Sequence, residues 1–291
     1  MTAIIYSIDV AHHLSERRHG ITDAGGVAFL PSPGDSVMLN LFDLTGRVAV
    51  ITGSTKGMGL EMARALGASG AAVVVSGRDQ ATAEAVAAEL EGEGFKAKGI
   101  ACDIGNVQSI QAFARLALDA YGRVDALVLN AAGSGTAGAL LSQGPEAFEQ
   151  AMAGNVRGNL VLVNALAPQM IERGDGAVIF MSSIAAKRGS AMLGMYSITK
   201  AATDGAVRSL ALELGPKGIN VNAINPGPVR TEFSREALWG NPEQEARLAA
   251  GIPMRRIGEA KDVAGLAVLL ASPAGRFIHG QSIGVDGGLS A

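Results

Sequence analysis

The sequence predicts a doubly wound α/β fold in which helices cover both faces of a mostly parallel, seven-stranded sheet. Three observations support this fold class. Short, nearly continuous apolar runs are typical of strands that are buried on both faces. The segments between them carry apolar residues at helical spacing, and a glycine-rich turn follows the first predicted strand. Because such sheets are built from right-handed crossovers, we expect a ligand at the carboxyl ends of the strands.

Seven apolar runs mark the predicted strands. They are expected at residues 48–52, 72–76, 96–101, 126–130, 177–181, 220–225 and 283–286. Residues 80–90 and 107–120 have the apolar spacing of helices and are the clearest crossovers. No repeat period of roughly 20 to 50 residues is found, which argues against a repeat array.

The glycine-rich turn is the segment Thr52-Gly-Ser-Thr-Lys-Gly-Met-Gly59, which leads from the first predicted strand into a helical pattern. A helix N-terminus exposes unpaired N–H groups with a partial positive charge, and glycines let a pyrophosphate approach the backbone. Gly53, Gly57 and Gly59 supply that access. Glycines also close ordinary turns, but the position of this turn in the first βαβ unit favours dinucleotide binding.

Tyr196 and Lys200 are four positions apart, so in a helix they share one face. A free phenol titrates near pH ~10, and a neighbouring ammonium favours its anion. The pair is therefore a candidate proton donor with a tunable pKa. Because such pairs are common by chance, the hypothesis also depends on the glycine-rich turn and on Ser183, thirteen positions before Tyr196. Together these features indicate an oxidoreductase.

These residues resemble the short-chain dehydrogenase/reductase family, and the resemblance extends from Leu41 to Gly288. The chain departs from the commonest family pattern at Leu129 and Ala132 but keeps Asn130. The family landmarks occur in order: the Thr52 to Gly59 turn, Cys102-Asp103, Asp125-Ala-Leu-Val-Leu-Asn130-Ala-Ala, Asn155-Val-Arg-Gly, Ser182-Ser183, Tyr196 to Lys200, Asn225-Pro-Gly227 and Val285-Asp-Gly-Gly288.

One branch of the family looks closest. It comprises the NADP(H)-dependent carbonyl and retinol reductases of the peroxisomal dehydrogenase/reductase type and their bacterial relatives. The resemblance lies in Val73-Val-Val-Ser-Gly-Arg78, Leu129-Asn-Ala-Ala132, Thr231-Glu-Phe-Ser-Arg-Glu-Ala-Leu-Trp239 and Met254-Arg-Arg-Ile-Gly258.

The resemblance implies a role for each candidate catalytic residue. Ser183 hydrogen-bonds the substrate oxygen, and Tyr196 donates the proton in reduction or removes it in oxidation. Lys200 lowers the pKa of Tyr196 and holds the nicotinamide ribose. Asn155 orients a water relay behind the lysine, although an Asn can also cap or distort a helix. Ser182 is expected to be structural.

The resemblance also implies a set of cofactor contacts around the carboxyl ends of the strands. Their members are Gly53, Thr55, Lys56, Gly57, Met58 and Gly59 in the turn, Ser76 and Arg78, Asp103 and Ile104, Asn130 and Ala131, Tyr196 and Lys200, and Pro226, Gly227, Val229 and Thr231. Asp103 and Asn130 are also residues that favour ordinary turns.

The end of the second predicted strand favours NADP(H). Enzymes that select NAD(H) place a carboxylate there, on the ribose diol. This strand ends Val75-Ser-Gly-Arg78, and Asp79 is explained as the start of the next helix. A guanidinium can bind a ribose 2′-phosphate bidentately, so Arg78 is the first candidate and Lys56 the second. The alternative is that both are solvated surface residues.

Composition narrows the class of protein. With 291 residues and 48% hydrophobic content, the chain can bury the core of one α/β domain. A net charge of −3 argues against a nucleic-acid partner. The lone Cys102 excludes an intrachain disulfide, and no Cys/His spacing indicates a metal site. No apolar run approaches the ~20 residues that span a membrane. We expect a cytoplasmic enzyme with a small-molecule carbonyl or alcohol substrate and, by family analogy, a homotetramer.

The domain organisation predicted from the sequence has two parts. Residues 1–40 lack helical or strand periodicity and are expected to be a flexible arm or the product of a misassigned start. Residues 41–291 form a single Rossmann-type catalytic domain. Within it, residues 228–251 are expected to form a lid with the apolar residues Phe233, Leu238 and Trp239. Phe233 or Trp239 is expected to contact substrate; the alternative is that these apolar residues only pack.

Three functions remain open. The first is an NADP(H)-linked carbonyl reductase or alcohol dehydrogenase. The second is a 3-oxoacyl-[acyl-carrier-protein] reductase, which would need a basic docking surface; Arg173 and Lys217 favour it, whereas Gly174 stands where carrier-dependent enzymes have arginine. The third is a non-catalytic dinucleotide-sensing protein, which has no need for Ser183, Tyr196 and Lys200 together.

Overall fold

The computed structural model describes residues 40–132, 138–189, 193–235 and 239–291. Apart from Asn40, the predicted N-terminal arm lies outside the described residues. Leu238 and the side chain of Phe233, both in the predicted lid, lie outside them as well. Residues 40–291 form one compact unit.

Strands and helices alternate along the chain up to β6, where a short irregular region follows. The strands are β1 (Val48–Ile51), β2 (Ala72–Gly77), β3 (Ala97–Ala101), β4 (Ala126–Leu129), β5 (Gly176–Met181), β6 (Ile219–Pro226), β7 (Val229–Arg230), β8 (Gly258–Glu259) and β9 (Ser282–Val285). The helices are α1 (Gly57–Ala68), α2 (Gln80–Gly92), α3 (Val107–Tyr121), α4 (Pro145–Met152), α5 (Gly158–Arg173), α6 (Gly194–Leu214), α7 (Pro242–Gly251) and α8 (Ala260–Ala271).

Seven of these strands form the central sheet in the order β3-β2-β1-β4-β5-β6-β9, and every neighbouring pair is parallel. The predicted doubly wound sheet is confirmed, and each predicted strand boundary is within one residue of the observed one. The strand order reverses between β1 and β4, so a crevice opens at their carboxyl ends.

Two hydrophobic layers bury the sheet. On one face, Phe113 of α3, Leu162 of α5 and Val207 of α6 pack against strand residues. On the other face, Leu66 of α1 and Val263 of α8 do the same. All of these side chains are 0% exposed. The strands are near-continuous apolar runs because both of their faces are covered.

Polar residues decide where several helices begin and end. The side chain of Asn106 accepts the Ser109 N–H and caps α3, which ends at Gly122 in the left-handed conformation.

A two-stranded parallel ladder of β7 and β8 was not expected from the sequence. Arg230 of β7 bonds to Glu259 of β8 and to Glu245 of α7, so this ladder anchors the helix of the predicted lid.

The amino ends of the strands carry a group of ion pairs, here termed the amino-edge cluster: Arg47, Arg123, Asp125, Arg173 and Asp175. The Asp125 side chain is 3% exposed and accepts the Val48 N–H at 2.9 Å. Arg123 approaches its Oδ1 at 2.6 Å, and Arg47 and Arg173 lie 3.5 Å from the same atom. Arg47 also pairs with Asp175. This buried carboxylate is therefore surrounded by cations of the chain itself.

Candidate active site

The glycine-rich turn lies in the crevice, between β1 and the N-terminus of α1. Gly53 has a φ of +62°, and a Cβ on it would lie 2.9 Å from the Ala131 Cα. A Cβ on Gly59 would lie 2.5 Å from both the Asn130 Nδ2 and the Gly53 carbonyl oxygen. A side chain at either glycine would therefore occupy the space inside the turn, which is here termed the glycine cradle. Since no side chain caps α1, its first N–H groups remain available, and the turn fits a pyrophosphate.

The remaining turn residues have different surroundings. Thr55 lies against the end of β2, because a Cβ on Gly77 would be 2.8 Å from its Cγ2. Lys56 is exposed at the start of α1, whereas Met58 packs against the hydrophobic core. The side chain of Thr231 lies beside Gly57, with its Cγ2 3.5 Å from the position of a Cβ there. The structure thus brings Thr231 to the turn from a distant segment of the chain.

Asn130 holds the turn in place. Its Nδ2 donates to the carbonyl oxygens of Thr52 at 2.9 Å and Gly53 at 2.8 Å. The Thr52 hydroxyl accepts the N–H groups of Asn130 and Ala131, each at 3.0 Å. The amide protons of Asn130 are therefore used within the chain. The buried Thr52, which sequence reasoning treated only as part of the motif, joins the turn to β4.

The end of β2 is tied to the turn and leads to an exposed arginine. The Ser76 N–H donates to the Ser54 hydroxyl at 2.9 Å, and the Ser54 N–H donates to the Ser76 carbonyl at 2.8 Å. Asp79 accepts the Thr82 N–H at 2.8 Å and its hydroxyl at 2.6 Å, so it caps α2 as expected. Arg78 is exposed, and within the described parts of the chain neither Arg78 nor Lys56 has an ion pair.

Ser183 and Tyr196 come together at the carboxyl end of β5. The two side chains are close enough for the Ser183 hydroxyl to lower the pKa of Tyr196 in part. The Ser183 Oγ also accepts the Ala185 N–H at 3.1 Å, which leaves the serine proton free to be donated. Ser182 has a structural contact, as expected, because its hydroxyl donates to the Lys200 carbonyl at 3.2 Å.

Lys200 is on the same helix, α6, and is 4% exposed. Its Nζ donates to the Met181 carbonyl at 2.7 Å and lies 5.5 Å from the centre of the Tyr196 ring. Burial lowers the pKa of Lys200 to about 8, and the charge of Asp204 raises it in part. The lysine is therefore protonated at neutral pH but close to losing its charge.

The expected lowering of the tyrosine pKa is wrong for this arrangement. Burial raises the pKa of Tyr196 above its usual value, and the hydrogen bond with Ser183 lowers it by less. The reason is that desolvation of the phenolate outweighs the one hydrogen bond that favours it. Tyr196 is consequently a protonated phenol at neutral pH.

Asn155 lies in a π-helical turn, Ala153–Arg157, between α4 and α5. It is 1% exposed, and its Nδ2 donates to the Ala151 carbonyl at 2.9 Å. The π-helical turn packs against α6, the helix of Tyr196 and Lys200. Such turns often occur at functional sites. The helix distortion considered for Asn155 is present, in a turn that packs against α6.

Asp103 and Ile104 follow β3. The Asp103 carboxylate is exposed and accepts the Gly105 N–H at 2.9 Å, which is ordinary turn geometry. Ile104 is buried, and α5 approaches it closely: a Cβ on Gly158 would lie 2.0 Å from the Ile104 carbonyl oxygen. The neighbouring Cys102 is buried, and burial raises the pKa of its thiol to about 12, as suits a packing residue.

Pro226 ends β6, and Gly227 follows it against the C-terminal segment. A Cβ on Gly227 would lie 2.6 Å from the Asp286 Cβ, and the Gly227 N–H donates to the Val285 carbonyl at 3.0 Å. Val229 is buried in β7. These contacts hold the segment at the carboxyl edge of the sheet.

The described part of the predicted lid is held by its own contacts. Thr231 caps a short 3₁₀ helix, Glu232–Ser234. The Trp239 indole N–H lies 3.3 Å from the Thr231 carbonyl and 3.3 Å from the Ser234 hydroxyl, and the Arg235 guanidinium lies 4.9 Å from its ring. Trp239 therefore packs within the lid, which is the alternative considered for it.

Among the described residues, no group of three or more Cys, His, Asp or Glu is arranged to hold a metal ion. No helix in the same residues is long and apolar enough to cross a membrane.

A glycine cradle at the strand-order reversal, with a Ser–Tyr–Lys group beside it, defines a dinucleotide-binding oxidoreductase site. Residues 53–290 match the family model described as enoyl-(acyl carrier protein) reductase. Human dehydrogenase/reductase SDR family member 2, mitochondrial, is 39% identical over 249 residues, which are 84% of this chain and 86% of the relative. Human dehydrogenase/reductase SDR family member 4 is 36% identical over 245 residues, 84% of this chain and 88% of the relative.

The chain belongs to the short-chain dehydrogenase/reductase family, and its relatives confirm the resemblance to the dehydrogenase/reductase branch. It is an oxidoreductase of the kind that acts on CH–OH groups.

Solved structures agree with the family. Gluconate 5-dehydrogenase from Burkholderia cenocepacia, in complex with NADP and tartrate, has a TM-score of 0.82 at 32% identity, over 86% of this chain and 97% of that one. A 7α-hydroxysteroid dehydrogenase complexed with NADH and 7-oxo glycochenodeoxycholic acid has a TM-score of 0.81 at 35% identity, over 85% and 96%. These relatives were solved with different nicotinamide cofactors.

Proposed function

We propose that this protein is an NADP(H)-dependent oxidoreductase that interconverts a ketone or aldehyde and the corresponding alcohol, with Tyr196 as proton donor and acceptor. The observation that carries the proposal is the grouping of Ser183, Tyr196 and Lys200: Tyr196 and Lys200 share α6, the Lys200 Nζ lies 5.5 Å from the centre of the Tyr196 ring, and Ser183 lies at the end of β5 close enough to act on the phenol. A bound nicotinamide cofactor supplies or accepts the hydride at the carbonyl carbon. The chain must then manage one proton and the developing charge on oxygen.

Each residue has a defined part in reduction. The Ser183 hydroxyl, which accepts the Ala185 N–H, donates its proton in a hydrogen bond to the carbonyl oxygen of the substrate, which can only accept. Tyr196 donates its proton to that oxygen as the carbonyl becomes an alcohol. The raised pKa of Tyr196 suits a proton donor at neutral pH. Lys200 places a positive charge beside the phenol, and Asn155 has the role that the family resemblance implies, which is to orient a water relay behind this lysine.

The proposed cofactor contacts follow the crevice from the turn to the lid. They are Gly53, Thr55, Lys56, Gly57, Met58 and Gly59, Ser76 and Arg78, Asp103 and Ile104, Asn130 and Ala131, Tyr196 and Lys200, and Pro226, Gly227, Val229 and Thr231. Asn130 acts there indirectly, because its amide protons hold the turn.

We propose NADP(H) rather than NAD(H). Asp79 is committed to capping α2, so the end of β2 presents the exposed guanidinium of Arg78 instead of a carboxylate. A 2′-phosphate brings roughly two negative charges, which suits Arg78 and the neighbouring Lys56. The kcat/KM for NADPH should exceed that for NADH at least about tenfold, or about 1.4 kcal/mol. Equal efficiency with both cofactors would contradict this choice.

A carrier-protein reductase is the second candidate, because the matching family model is described as an acyl-carrier-protein enzyme. The two basic residues that favour it are engaged elsewhere. Arg173 donates to the Val124 carbonyl at 2.6 Å and belongs to the amino-edge cluster, and Lys217 lies 3.9 Å from Glu213. Gly174 ends α5 with a φ of +64°. These contacts favour a free carbonyl substrate.

A turnover panel with NADPH decides between the candidates. It compares free ketones and aldehydes with a 3-oxoacyl group on acyl carrier protein and on a short thioester mimic. The proposal expects turnover of free carbonyl compounds. Turnover of the carrier-bound substrate alone would establish the second candidate. Cofactor binding without turnover of any substrate would favour a dinucleotide sensor.

A homotetramer is proposed as the assembly. Leu212 on α6 is 84% exposed and Phe277, before β9, is 103% exposed. Large apolar side chains of this kind are expected at interfaces, and α6 and the C-terminal strand are the elements expected to pair about two-fold axes. Light scattering at micromolar concentration should give a tetrameric mass, and a monomeric mass would contradict it.

The cytoplasmic location is also a proposal, to be tested by cell fractionation, since one human relative is named as mitochondrial.

A further inference from the structure

A buried carboxyl group lies behind the catalytic pair. Asp204 is 5% exposed on α6, four positions after Lys200 and eight after Tyr196, so the three side chains lie along one helix face. The Lys200 ammonium donates to the Met181 carbonyl, which is a dipole and carries no net charge. A buried ammonium is costly unless an opposite charge accompanies it.

Asp204 is also joined to Ser183. The Asn225 Nδ2 donates to the Asp204 Oδ2 at 3.2 Å and to the Ser183 carbonyl oxygen at 3.2 Å. Asn225 is 2% exposed, at the carboxyl end of β6. One amide group therefore links the carboxylate on α6 to the backbone of Ser183.

Few charged groups are near Asp204. The buried charged side chains among the described residues are Lys200, Asp204 and Asp125, and Asp125 is at the opposite edge of the sheet. The elements that pack against α6 are β6, the π-helical turn, α4 and the short helical turns Ile184–Ala186 and Gly215–Lys217. Their charged side chains are all exposed: Glu146 and Glu149 of α4, Arg157 and Lys217. Arg157 directs its guanidinium to the Gly105 carbonyl, and Arg208, one turn after Asp204, is exposed.

The second carboxylate oxygen of Asp204 supports an electrostatic role. The Oδ1 atom is buried and has no hydrogen-bond partner among the described residues. A carboxylate kept only to anchor the fold would be expected to use both oxygens. The charge of Asp204, one helical turn after Lys200 on α6, raises the pKa of that lysine against the effect of burial.

We propose that Asp204 is a positioning residue of the active site, which keeps Lys200 as a cation and fixes the Ser183 backbone through Asn225. This inference rests on the proposed function, in which a charged Lys200 assists proton transfer at Tyr196. It assigns to the chain a four-part unit of Ser183, Tyr196, Lys200 and Asp204.

The direct test is the titration of Lys200, followed by NMR of isotope-labelled lysine Cε and assigned by its loss in Lys200→Met. The wild-type midpoint should lie at about 8. Asp204→Asn should lower it by about one pH unit, because the neutral amide no longer favours the ammonium. Asp204→Glu keeps the charge and should restore most of the shift.

Asp125→Asn is the matched control, since it makes the same chemical change in a buried carboxylate at the opposite edge of the sheet. It should leave the Lys200 midpoint unchanged although it lowers Tm. Should Asp204→Asn fail to fold, Asp204→Ser replaces it, because a hydroxyl can still accept the Asn225 amide.

The titration separates this inference from the proposed function. If no carbonyl compound is turned over, the proposed function fails, and the Lys200 midpoint still decides the role of Asp204. Where turnover is found, the alkaline limb of the kcat/KM profile should move to lower pH in Asp204→Asn by the same shift. A Lys200 midpoint equal to that of wild type, with only Tm lowered, would overturn the inference and leave Asp204 a structural residue.

Discussion

The two edges of the central sheet carry the same kinds of charged residue and use them differently. At the amino edge, Asp125 is bonded to the Val48 N–H and surrounded by Arg47, Arg123 and Arg173. At the carboxyl edge, the Lys200 ammonium is buried against a carbonyl group, and the guanidinium of Arg78 is exposed. The charges at the amino edge pair with one another, whereas at the carboxyl edge Lys200 is hydrogen-bonded to an uncharged group and the exposed Arg78 has no ion pair among the described residues.

This difference has an energetic meaning. Breaking a buried charge–charge or hydrogen-bonded contact is costly, so the amino-edge cluster is expected to support stability. Keeping an ammonium in a desolvated place costs stability and is typical of functional sites. Two features of this kind lie at the carboxyl edge. Lys200 has a lowered pKa, and the buried Asp204 Oδ1 has no hydrogen-bond partner among the described residues. Substitutions at the amino edge should therefore lower the free energy of unfolding and leave turnover nearly unchanged. Substitutions at the carboxyl edge should lower cofactor binding or turnover.

The largest effect is expected from Tyr196→Phe. It removes one hydroxyl and keeps the ring, so kcat should fall by about 10²- to 10⁴-fold, the range typical of general acid–base catalysis. The affinity for NADPH, measured by fluorescence titration, should change little. A variant that keeps more than about a tenth of wild-type kcat would exclude Tyr196 as the proton donor.

Gly59→Ala should nearly abolish cofactor binding. The new Cβ would lie 2.5 Å from the Asn130 Nδ2 and the Gly53 carbonyl oxygen, so the turn must open. We expect the Kd for NADPH to rise about a hundredfold, or about 2.8 kcal/mol. Gly92→Ala is the control, because a Cβ at this helix end meets nothing within 4 Å. Equal affinities for the two variants would show that the turn does not hold the cofactor.

Arg78→Ala should reduce the preference for NADPH over NADH by about tenfold, or about 1.4 kcal/mol. The change should appear mainly as a higher KM for NADPH, because the lost contact is to the 2′-phosphate and not to the reacting atoms. Steady-state kinetics with both cofactors measure it. Should the variant discriminate as the wild type does, another residue must read the phosphate.

The pH dependence of reduction is expected to follow Lys200. Since burial lowers its pKa to about 8, the cation is present below that pH and is lost as pH rises through it. The kcat/KM for reduction should therefore be level below about pH 8 and fall above it, up to about tenfold per pH unit. A profile that stays level to pH ~10, the ordinary value for a phenol, would assign no role to the charge on Lys200.

The smallest effect on turnover is expected from Asp125→Asn at the amino edge. The substitution removes the charge that three arginines share and should lower the free energy of unfolding by about 1–3 kcal/mol. Chemical denaturation measures that loss. The kcat/KM should remain within about twofold of wild type, since ΔΔG‡ near zero is expected for a site outside the crevice. A large loss of activity without a loss of stability would reverse the roles assigned to the two edges.

Much of the fold follows from local patterns. The strands are apolar runs because both faces of the sheet are covered, and this pattern is sufficient to place their ends within one residue. Asp79 is recognisable as a helix cap because its position after a strand and before a helical pattern determines its partner, the Thr82 N–H. Both predictions depend on neighbours in the chain.

The remaining features depend on partners that are distant in the chain. Asp204 occupies an ordinary helical position, and only its contact with Asn225 shows that it is part of the site. Its one sequence signal is the four-residue spacing from Lys200. Asn130 was expected to reach the cofactor, but a sequence cannot show that its amide protons are already bonded to Thr52 and Gly53. The direction of the Tyr196 pKa likewise depends on burial, which follows from packing.

Transfer of deuterium from NADPH that carries deuterium at both hydrogen positions of the nicotinamide C4 tests the central claim most directly. The alcohol formed from a free ketone is analysed by mass spectrometry with wild type, Tyr196→Phe and Asp125→Asn. We expect deuterium on the former carbonyl carbon with wild type and Asp125→Asn, and almost none with Tyr196→Phe. Deuterium transfer that persists in Tyr196→Phe, or NADPH consumed without labelled alcohol in the wild type, would contradict the assignment of this chemistry to the carboxyl edge of the sheet.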